Sequence, residues 1–183
     1  PYPLVLDDLP HEGTSPNDQQ RLVAGMCAKD NLLDLMRSFM IFGTDAKGKT
    51  IKVVARYQQF RAVKLAVKRL LEGKNRNERS GIIWHTQGSG KSLTMIFMVR
   101  EMRQHVALAG WKVVFVTDRT QLQNQLFETS QGIGQTVKEA DSIAKLKGLI
   151  RNDSPDLVMA MMQKFQDKDL QEMFPQLNPS PKI

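Results

Sequence analysis

Cysteine and long apolar runs are both scarce in this sequence of 183 residues. The single cysteine, Cys27, excludes an intrachain disulfide. Apolar runs such as residues 95–99 and 113–116 fall far short of the roughly 18 residues that a membrane-spanning helix needs. Residues 1–10 have neither the basic start nor the apolar stretch of a secretory signal. We therefore expect a cytoplasmic protein with no membrane partner.

Charge is distributed unevenly along the chain. Hydrophobic residues make up 41% and charged residues 25%, close to globular averages, which fits one or two small soluble domains. Residues 1–44 carry 3 basic and 6 acidic side chains, residues 45–120 carry 16 and 5, and residues 121–183 carry 7 and 8. The net charges are therefore −3, +11 and −1, which sum to +7. The basic middle block favours a polyanionic partner, nucleic acid or nucleotide phosphate. The alternative is a solubilising surface.

The first half of the chain has helical and hairpin patterns after an extended start over residues 1–14. Ser15 and Pro16 predict a helix N-terminus. Apolar residues at helical spacing, and two β-type runs on either side of a turn-rich segment, predict the elements that follow. In chain order these are helices over residues 19–28 and 31–39, strands over 39–42 and 50–54, and a helix over 57–71 that ends at Gly73.

The second half of the chain alternates strand patterns with helix patterns. The expected elements are a strand over residues 81–84, a helix over 91–109, a strand over 112–117, helices over 121–129 and 141–151, and a strand over 156–160. Strands that alternate with helices of about ten or more residues predict a parallel α/β sheet with right-handed crossovers.

A glycine-rich loop over residues 85–92 carries the strongest chemical signal. It lies between an apolar segment and a long helix pattern, which is the context of a phosphate-binding loop. Gly88 and Gly90 permit backbone conformations in which successive N–H groups wrap a phosphate. Lys91 is then expected to reach the β- and γ-phosphates, and the Ser92 hydroxyl to bind Mg²⁺. His85 stands where the generic motif has its first glycine.

A second apolar run, over residues 113–117, ends at Asp118 and offers an alternative interpretation. An aspartate after a buried strand holds Mg²⁺ in many P-loop enzymes, so the chain could be a stand-alone kinase. The residues that follow, Arg119, Leu122 and Gln125, form a different pattern.

Four blocks resemble motifs of one family, the helicase-like translocases of superfamily 2, and within it the restriction (R) subunit of type I restriction-modification enzymes. Residues 56–63 look like the adenine-reading Q motif. Residues 85–92 look like motif I in the H-T-x-G-S-G-K-S form that is typical of these subunits. Residues 116–125 resemble motif Ia in its V-T-D-R-x-x-L-x-x-Q form. Residues 161–165 resemble motif Ib, with methionines where hydroxyl residues are more usual.

The resemblance implies ATP and Mg²⁺ as cofactors, and double-stranded DNA with methyltransferase (M) and specificity (S) subunits as partners. Lys91 and Ser92 are implied to be catalytic, with Ser92 as the Mg²⁺ ligand. Gln59 is implied to pair with the adenine edge, because its amide has both donors and an acceptor. The implied nucleotide-binding residues are Arg56, Tyr57, Gln59, Gln87, Gly88, Ser89, Gly90, Lys91 and Ser92. The implied DNA-binding residues are Thr117, Arg119, Gln163 and Lys164.

The resemblance also implies an α/β fold, an incomplete P-loop NTPase (RecA-like) parallel sheet with flanking helices. Residues 1–44 are expected to be a helical linker that joins an absent nuclease domain to the motor, and residues 45–183 the N-terminal part of motor domain 1. No D-E-x-H block occurs in the sequence. We therefore expect a fragment of a longer ATP-dependent DNA translocase and endonuclease, truncated before the Walker B strand, that hydrolyses almost no ATP alone.

Three alternatives to this family stay open at this point. The chain could belong to another superfamily 2 helicase or remodeller, or it could be the stand-alone P-loop kinase. It could also be a non-enzymatic nucleic-acid-binding module whose basic middle block is the functional surface.

Overall fold

A computed structural model of the chain describes residues 17–44, 47–118 and 137–162. These residues divide into two compact units, of which the first ends at Glu101 and the second begins at Met102. The predicted helix over residues 121–129 lies outside the described residues. So do three of the predicted DNA-binding residues, Arg119, Gln163 and Lys164.

The first unit contains a helical pair, a hairpin and two longer helices. Its elements are α1 (Asp18–Met26), α2 (Lys29–Ser38), β1 (Met40–Thr44), β2 (Thr50–Val54), α3 (Tyr57–Glu72), α4 (Arg76–Arg79) and most of α5 (Lys91–Gln104). β1 and β2 pair antiparallel, with Met40 opposite Val54. The predicted helices and hairpin of this half are confirmed. The proposed domain boundary after residue 44 falls inside the hairpin loop and stays a prediction.

Helix α1 begins later than the sequence pattern predicts. Its N-cap is Asn17, and the prediction of Ser15 and Pro16 as the helix start is wrong. The Asn17 side chain accepts the Gln20 N–H at 2.8 Å, and the Gln20 side chain accepts the Asn17 N–H at 2.9 Å. This reciprocal capping box satisfies two N–H groups at the start of the helix.

Three phenylalanines form the centre of the first unit. The ring centroids of Phe39 and Phe60 lie 4.6 Å apart, and those of Phe39 and Phe97 lie 5.8 Å apart. All three side chains are buried, together with aliphatic residues from α3 and α5 such as Val63 and Ile96. Because α3 and α5 share this apolar cluster, the N-terminus of α3 has a defined position relative to the start of α5.

Residues 81–84 do not form the predicted strand. They have no regular secondary structure, and the side chains of Ile82 and Trp84 are 93% and 89% exposed. A parallel strand needs ladder partners on a neighbouring strand. Within the described residues no strand pairs with this segment. Apolar composition alone therefore does not make this segment a strand.

The helix predicted over residues 91–109 is broken at His105. Helix α5 ends at Gln104, His105 has extended backbone, and a short helix α6 spans Val106–Ala109. Arg103, on the last turn of α5, donates from its guanidinium to the carbonyls of Ala109, Trp111 and Pro155 at 2.6 to 2.9 Å. These hydrogen bonds turn the chain back at the helix end, which helical spacing alone does not reveal.

The second unit is built on a parallel sheet of three strands. Its elements after α6 are β3 (Val113–Thr117), β4 (Val137–Ala140), α7 (Ile143–Arg151) and β5 (Leu157–Met161). The strand order is β3-β5-β4. Val113 and Val137 both pair with Leu157, so the three strands begin at the same level. The sequence pattern missed β4, whose residues are half polar.

The core of the second unit lies where α7 covers the sheet. It is formed by Ala140, Leu146, Ile150, Val158 and Ala160. The central strand β5 is apolar along its length and almost fully buried, as expected for an inner strand of a parallel sheet. The predicted α/β class, a parallel sheet with flanking helices, is therefore confirmed. Among the described helices, none has the length and apolarity that crossing a membrane requires.

Candidate functional site

The glycine-rich loop keeps the backbone geometry that its sequence predicts. Gly88 and Gly90 have φ values of 75° and 82°, a left-handed conformation that glycine adopts without steric cost. α5 begins directly after Gly90, so Lys91 and Ser92 form its first turn. The first N–H groups of a helix have no partner within the helix, so they are available to an anion at this point. A Cβ at Gly88 would meet no atom within 4 Å, so the space beside it is open.

Thr86 is the internal anchor of this loop. Its carbonyl accepts hydrogen bonds from the Lys91 ammonium at 2.8 Å and from the Ser89 hydroxyl at 2.6 Å. The Ser89 N–H also donates to it, at 3.3 Å. The Lys91 ammonium is therefore folded back across the loop onto the carbonyl of Thr86, near the start of the loop. To reach a phosphate, Lys91 has to exchange this carbonyl for phosphate oxygens.

Gln59, in the first turn of α3, contacts the same loop from the other side. Its Nε2 donates to the carbonyl of Gly90 at 3.0 Å and to that of Ser89 at 3.3 Å. Its Oε1 accepts the N–H of Arg56 at 2.8 Å, which caps α3. The side chain is buried, with 3% of its surface exposed. The amide that the sequence resemblance assigns to the adenine edge thus lies on the loop backbone.

The Gly90 carbonyl is the point where α3, the loop and α5 meet. Besides Gln59, the N–H of Thr94 donates to it at 3.1 Å and the Thr94 hydroxyl at 3.2 Å. Thr94 is buried. The sequence interpretation did not select this threonine. One sequence feature could have indicated it: Thr94 lies four positions after Gly90, the last glycine of the loop. A helical threonine hydroxyl can donate to the carbonyl four positions before it.

The other predicted nucleotide-binding residues lie on or beside this loop. Arg56 is exposed at the N-terminus of α3, and Tyr57 next to it is half-buried. Gln87 is exposed and Ser92 is half-buried in the first turn of α5. The fold therefore brings the predicted nucleotide-binding residues together, at the N-terminus of α3 and the glycine-rich loop of the first unit.

An ion-pair cluster further along α3 fixes this helix against α2 and α5. The Lys64 ammonium lies 2.7 Å from a carboxylate oxygen of Asp34 and 2.9 Å from one of Glu101. Burial by itself lowers the pKa of Lys64, but the hydrogen bonds to Asp34 and Glu101 outweigh it, so the pKa is raised above its usual value. The cluster adds a polar connection to the apolar contacts between α3 and α5.

In the second unit, the predicted DNA-binding residue Thr117 lies at the carboxyl end of β3. It pairs with Met161 at the end of β5, so the residues that follow each strand leave the sheet at one edge. Thr117 is buried, and its hydroxyl contacts the Met161 Sδ at 3.9 Å. Asp118, which follows it, is exposed.

Comparison with known proteins identifies related sequences. A family model described as SWI2/SNF2 ATPase matches residues 58–183. The type I restriction enzyme HindI endonuclease subunit of Haemophilus influenzae is 36% identical, over 88% of this chain and 16% of that protein. The putative type I restriction enzyme MjaIXP endonuclease subunit of Methanocaldococcus jannaschii is 35% identical, over 84% of this chain and 15% of that protein. The chain spans about a sixth of the length of these relatives.

These matches confirm the resemblance to endonuclease subunits of type I restriction enzymes. The family model includes α3 from Gln58 onward, the glycine-rich loop and the sheet of the second unit. The chain belongs to the SWI2/SNF2 ATPase family.

Proposed function

We propose that this chain binds ATP with Mg²⁺ at the loop of residues 85–92 and is part of the DNA translocase in a type I restriction endonuclease subunit. The observation that carries the proposal is the geometry of the loop, in which two left-handed glycines precede the N-terminus of α5. Membership of an ATPase family supports the same assignment. Hydrolysis of bound ATP to ADP and phosphate would supply the free energy for translocation in the complete enzyme.

Each residue of the loop has a definite part in this proposal. Backbone N–H groups near Gly88 and Gly90 hold phosphate oxygens, and Lys91 leaves the Thr86 carbonyl to bind the β- and γ-phosphates. Ser92 supplies a hydroxyl to Mg²⁺. Within the described residues, no three His, Cys, Asp or Glu side chains cluster as a metal site. Mg²⁺ would therefore be held jointly with the phosphates of the nucleotide.

Nucleotide titration tests the proposal. A fluorescent ATP analogue with Mg²⁺ should bind the wild-type chain, and Lys91→Ala should weaken binding by at least tenfold, because a charge-assisted contact with phosphate contributes roughly 1.5–3 kcal/mol. The matched control is Lys74→Ala, an exposed lysine in the same unit that lies 17 positions before Lys91. Equal binding by wild type and Lys91→Ala would contradict the proposal.

We further propose that DNA passes the carboxyl edge of the sheet in the second unit. β3 and β5 end level with each other, at Thr117 and Met161. In the sequence, Arg119, Gln163 and Lys164 follow these strand ends by two or three positions. Ligands bind at the carboxyl ends of strands in open α/β sheets. Because Thr117 is buried, we assign it a structural role at this edge. We assign the contacts with DNA phosphates to the cationic residues Arg119 and Lys164.

Salt-dependent binding of duplex DNA tests this second assignment. The double variant Arg119→Ala, Lys164→Ala should weaken binding and reduce the slope of log affinity against log salt by up to about 2. The control is Lys145→Ala, which removes a lysine on α7 that forms an ion pair with Asp141. An unchanged salt slope in the double variant would exclude this edge as the DNA contact.

The names of the relatives support a proposal about the whole enzyme to which this chain would contribute. They are endonuclease subunits of restriction enzymes. We infer that this chain acts with methyltransferase and specificity subunits, and that cleavage of foreign DNA is carried out by the complete enzyme. The stand-alone kinase has no support from the relatives.

A further inference from the structure

We propose that the exposed side of α3, together with α4, is a further binding surface for the phosphate backbone of double-stranded DNA. This α3–α4 basic surface consists of five exposed cationic side chains: Arg61, Lys68, Arg69, Lys74 and Arg76. It lies in the first unit and shares no residue with the phosphate loop or with the sheet edge of the second unit. The inference therefore goes beyond the proposed function.

The part of the chain that forms this surface carries most of the positive charge of the protein. Residues 56–79 contain 8 basic and 2 acidic side chains, a net charge of +6 in a chain whose total is +7. Only two of these basic side chains are engaged inside the unit: Lys64 pairs with two carboxylates, and Arg79 donates to a backbone carbonyl. Duplex DNA has the complementary charge, and its neutralisation by lysine and arginine releases condensed counterions, which favours binding.

The two carboxylates of this stretch do not neutralise the surface. Glu78 accepts hydrogen bonds from the backbone N–H of Lys74 at 2.7 Å and from the side-chain amide of Asn75, so it belongs to the turn that begins α4. Glu72 lies 3.8 Å from Lys68, and this exposed pair is weak. Among the described residues, none of the three arginines of the surface has a carboxylate within ion-pair distance. Their charges are available to a ligand.

Helical spacing places the cations of α3 on a side that differs from its buried side. Phe60 and Val63 face the apolar core, whereas Arg61, Lys68 and Arg69 are exposed. Arg61 and Arg69 are eight positions apart, which corresponds to about 12 Å along a helix axis. Successive phosphates of one DNA strand advance about 3.4 Å along the duplex, so this row of cations spans about three to four of them.

Arg79 fixes α4 at the end of α3. Its Nε donates to the carbonyl of Gly73, the C-cap of α3, at 2.9 Å. Its Cγ lies 2.7 Å from the position that a Cβ on Gly73 would take, so the arginine stem packs closely on this glycine. Arg76, one turn before Arg79, is thereby held near the last turn of α3, where Arg69 lies. A surface whose backbone is already ordered loses less conformational entropy on binding.

The residue types of the surface favour contacts with phosphates over contacts with bases. Three of its five cations are arginines, and the planar guanidinium binds phosphate oxygens through two hydrogen bonds. Surfaces that bind single strands stack the bases on aromatic side chains, and residues 61–80 contain no aromatic residue. We therefore assign the surface to duplex DNA that is bound without regard to its sequence.

Salt-dependent binding of a fluorescent duplex of arbitrary sequence tests the inference. The triple variant Arg61→Gln, Arg69→Gln, Arg76→Gln should lower the slope of log affinity against log salt by about 2–3, because each phosphate contact contributes about 0.9. At about 0.1 M salt its affinity should fall by about tenfold or more. Its melting temperature should stay close to that of wild type, because all three side chains are exposed. An unchanged slope would overturn the inference.

A control of equal charge separates a binding surface from a general effect of net charge. Lys145→Gln, Lys147→Gln, Arg151→Gln removes three cations from α7 in the second unit and should leave the slope nearly unchanged. Equal losses in the two triple variants would overturn the inference. Replacing the three arginines of the α3–α4 basic surface by lysine keeps the charge, so that variant should keep the salt slope, and loss of the slope there would also contradict binding by charge.

Two further ligands test the assignment to duplex DNA. A single strand of the same length should bind the wild-type chain more weakly than the duplex does, and tighter binding of the single strand would overturn the assignment. Leu65, which is 57% exposed, lies between the cations of α3, so vesicles that contain phosphatidylserine are the second ligand. If the arginine-to-glutamine variant lost vesicle binding and kept wild-type affinity for the duplex, the surface would be a membrane contact and the inference would be wrong.

Discussion

The ammonium group of Lys64 on α3 lies 2.9 Å from a carboxylate oxygen of Glu101 on α5, and the Glu101 side chain is 4% exposed. Asp34 on α2 completes the cluster at 2.7 Å. The ion pair stabilises a carboxylate as deeply buried as that of Glu101, because burial of a charge is unfavourable unless oppositely charged or hydrogen-bonding groups surround it.

Lys64→Met should destabilise the first unit by about 1–3 kcal/mol, because the buried Glu101 carboxylate then loses its ion pair with the Lys64 ammonium. The estimate lies below that for a fully buried pair, since the Lys64 side chain is 38% exposed. The control is Lys68→Met on the same helix, where the exposed pair with Glu72 at 3.8 Å should contribute less than about 0.5 kcal/mol. Urea unfolding measures both, and equal midpoints for the two variants would refute the role of Lys64.

The same cluster should make stability depend on alkaline pH. The pKa of Lys64 is raised in the folded chain, so its stabilising contribution is fully present below the pKa of an unfolded lysine and is lost as the pH rises through the raised value. Unfolding free energies measured between neutral and strongly alkaline pH should therefore converge for wild type and Lys64→Met. Parallel curves for the two chains would show that the cluster is not responsible.

In the second unit, Asp156 should make stability depend on acid pH. Burial raises its pKa, but hydrogen bonds from Lys138 and Ser154 outweigh this effect and hold the pKa below its usual range. Its contribution is present above the pKa of an unfolded aspartate and is lost as the pH falls through the depressed value. Asp156→Asn should cost about 1–2 kcal/mol at neutral pH, since Lys138, 2.7 Å away, loses its partner.

Acid unfolding followed by circular dichroism measures this effect. Asp156→Asn should converge with wild type at low pH, where the wild-type carboxylate is protonated. The matched control is Asp141→Asn, which removes the exposed carboxylate that pairs with Lys145 on α7, and it should unfold as wild type does. A larger loss in Asp141→Asn than in Asp156→Asn would contradict the assignment.

The two glycines of the loop should respond differently to alanine. Both have a left-handed φ, so either substitution should cost about 1–2 kcal/mol of backbone strain. Only at Gly90 does the new Cβ also collide with the Gln59 amide. We expect Gly90→Ala to lower the melting temperature more than Gly88→Ala, and we expect this difference to disappear when each is combined with Gln59→Ala. Thermal unfolding of the two single glycine variants and the two double variants is the measurement. Equal effects of Gly88→Ala and Gly90→Ala alone would disprove the contact.

Much of the first unit could be predicted because its signals are local. Helical spacing predicted α1, α2 and α3, and the turn-rich segment between two β-type runs predicted the hairpin. The G-S-G-K-S run predicted the left-handed glycines, because that conformation is nearly exclusive to glycine. The N-cap at Asn17 was missed because Ser15 and Pro16 offer an equally plausible start, and only the pairing with Gln20 decides between them.

Strands were predicted less well because their stability comes from neighbours distant in sequence. Residues 81–84 are apolar, yet no described strand pairs with them. β4 has the polar residues Lys138 and Glu139 in a run of four, and it exists because β5 provides a ladder of hydrogen bonds. The strand signal in the composition is therefore present but insufficient in the first case, and it is nearly absent in the second.

By itself, the sequence determined the family, the glycine loop, and most of the extent of α1, α2 and α3, since each depends on residues close together in the chain. Only the tertiary structure decided what the Gln59 amide contacts, because its partners Ser89 and Gly90 lie 30 and 31 positions away. The same holds for Lys64, whose two carboxylates lie 30 and 37 positions away. A side chain's chemistry is written in the sequence, but which of its donors and acceptors remain available to a ligand depends on the groups that folding brings against it.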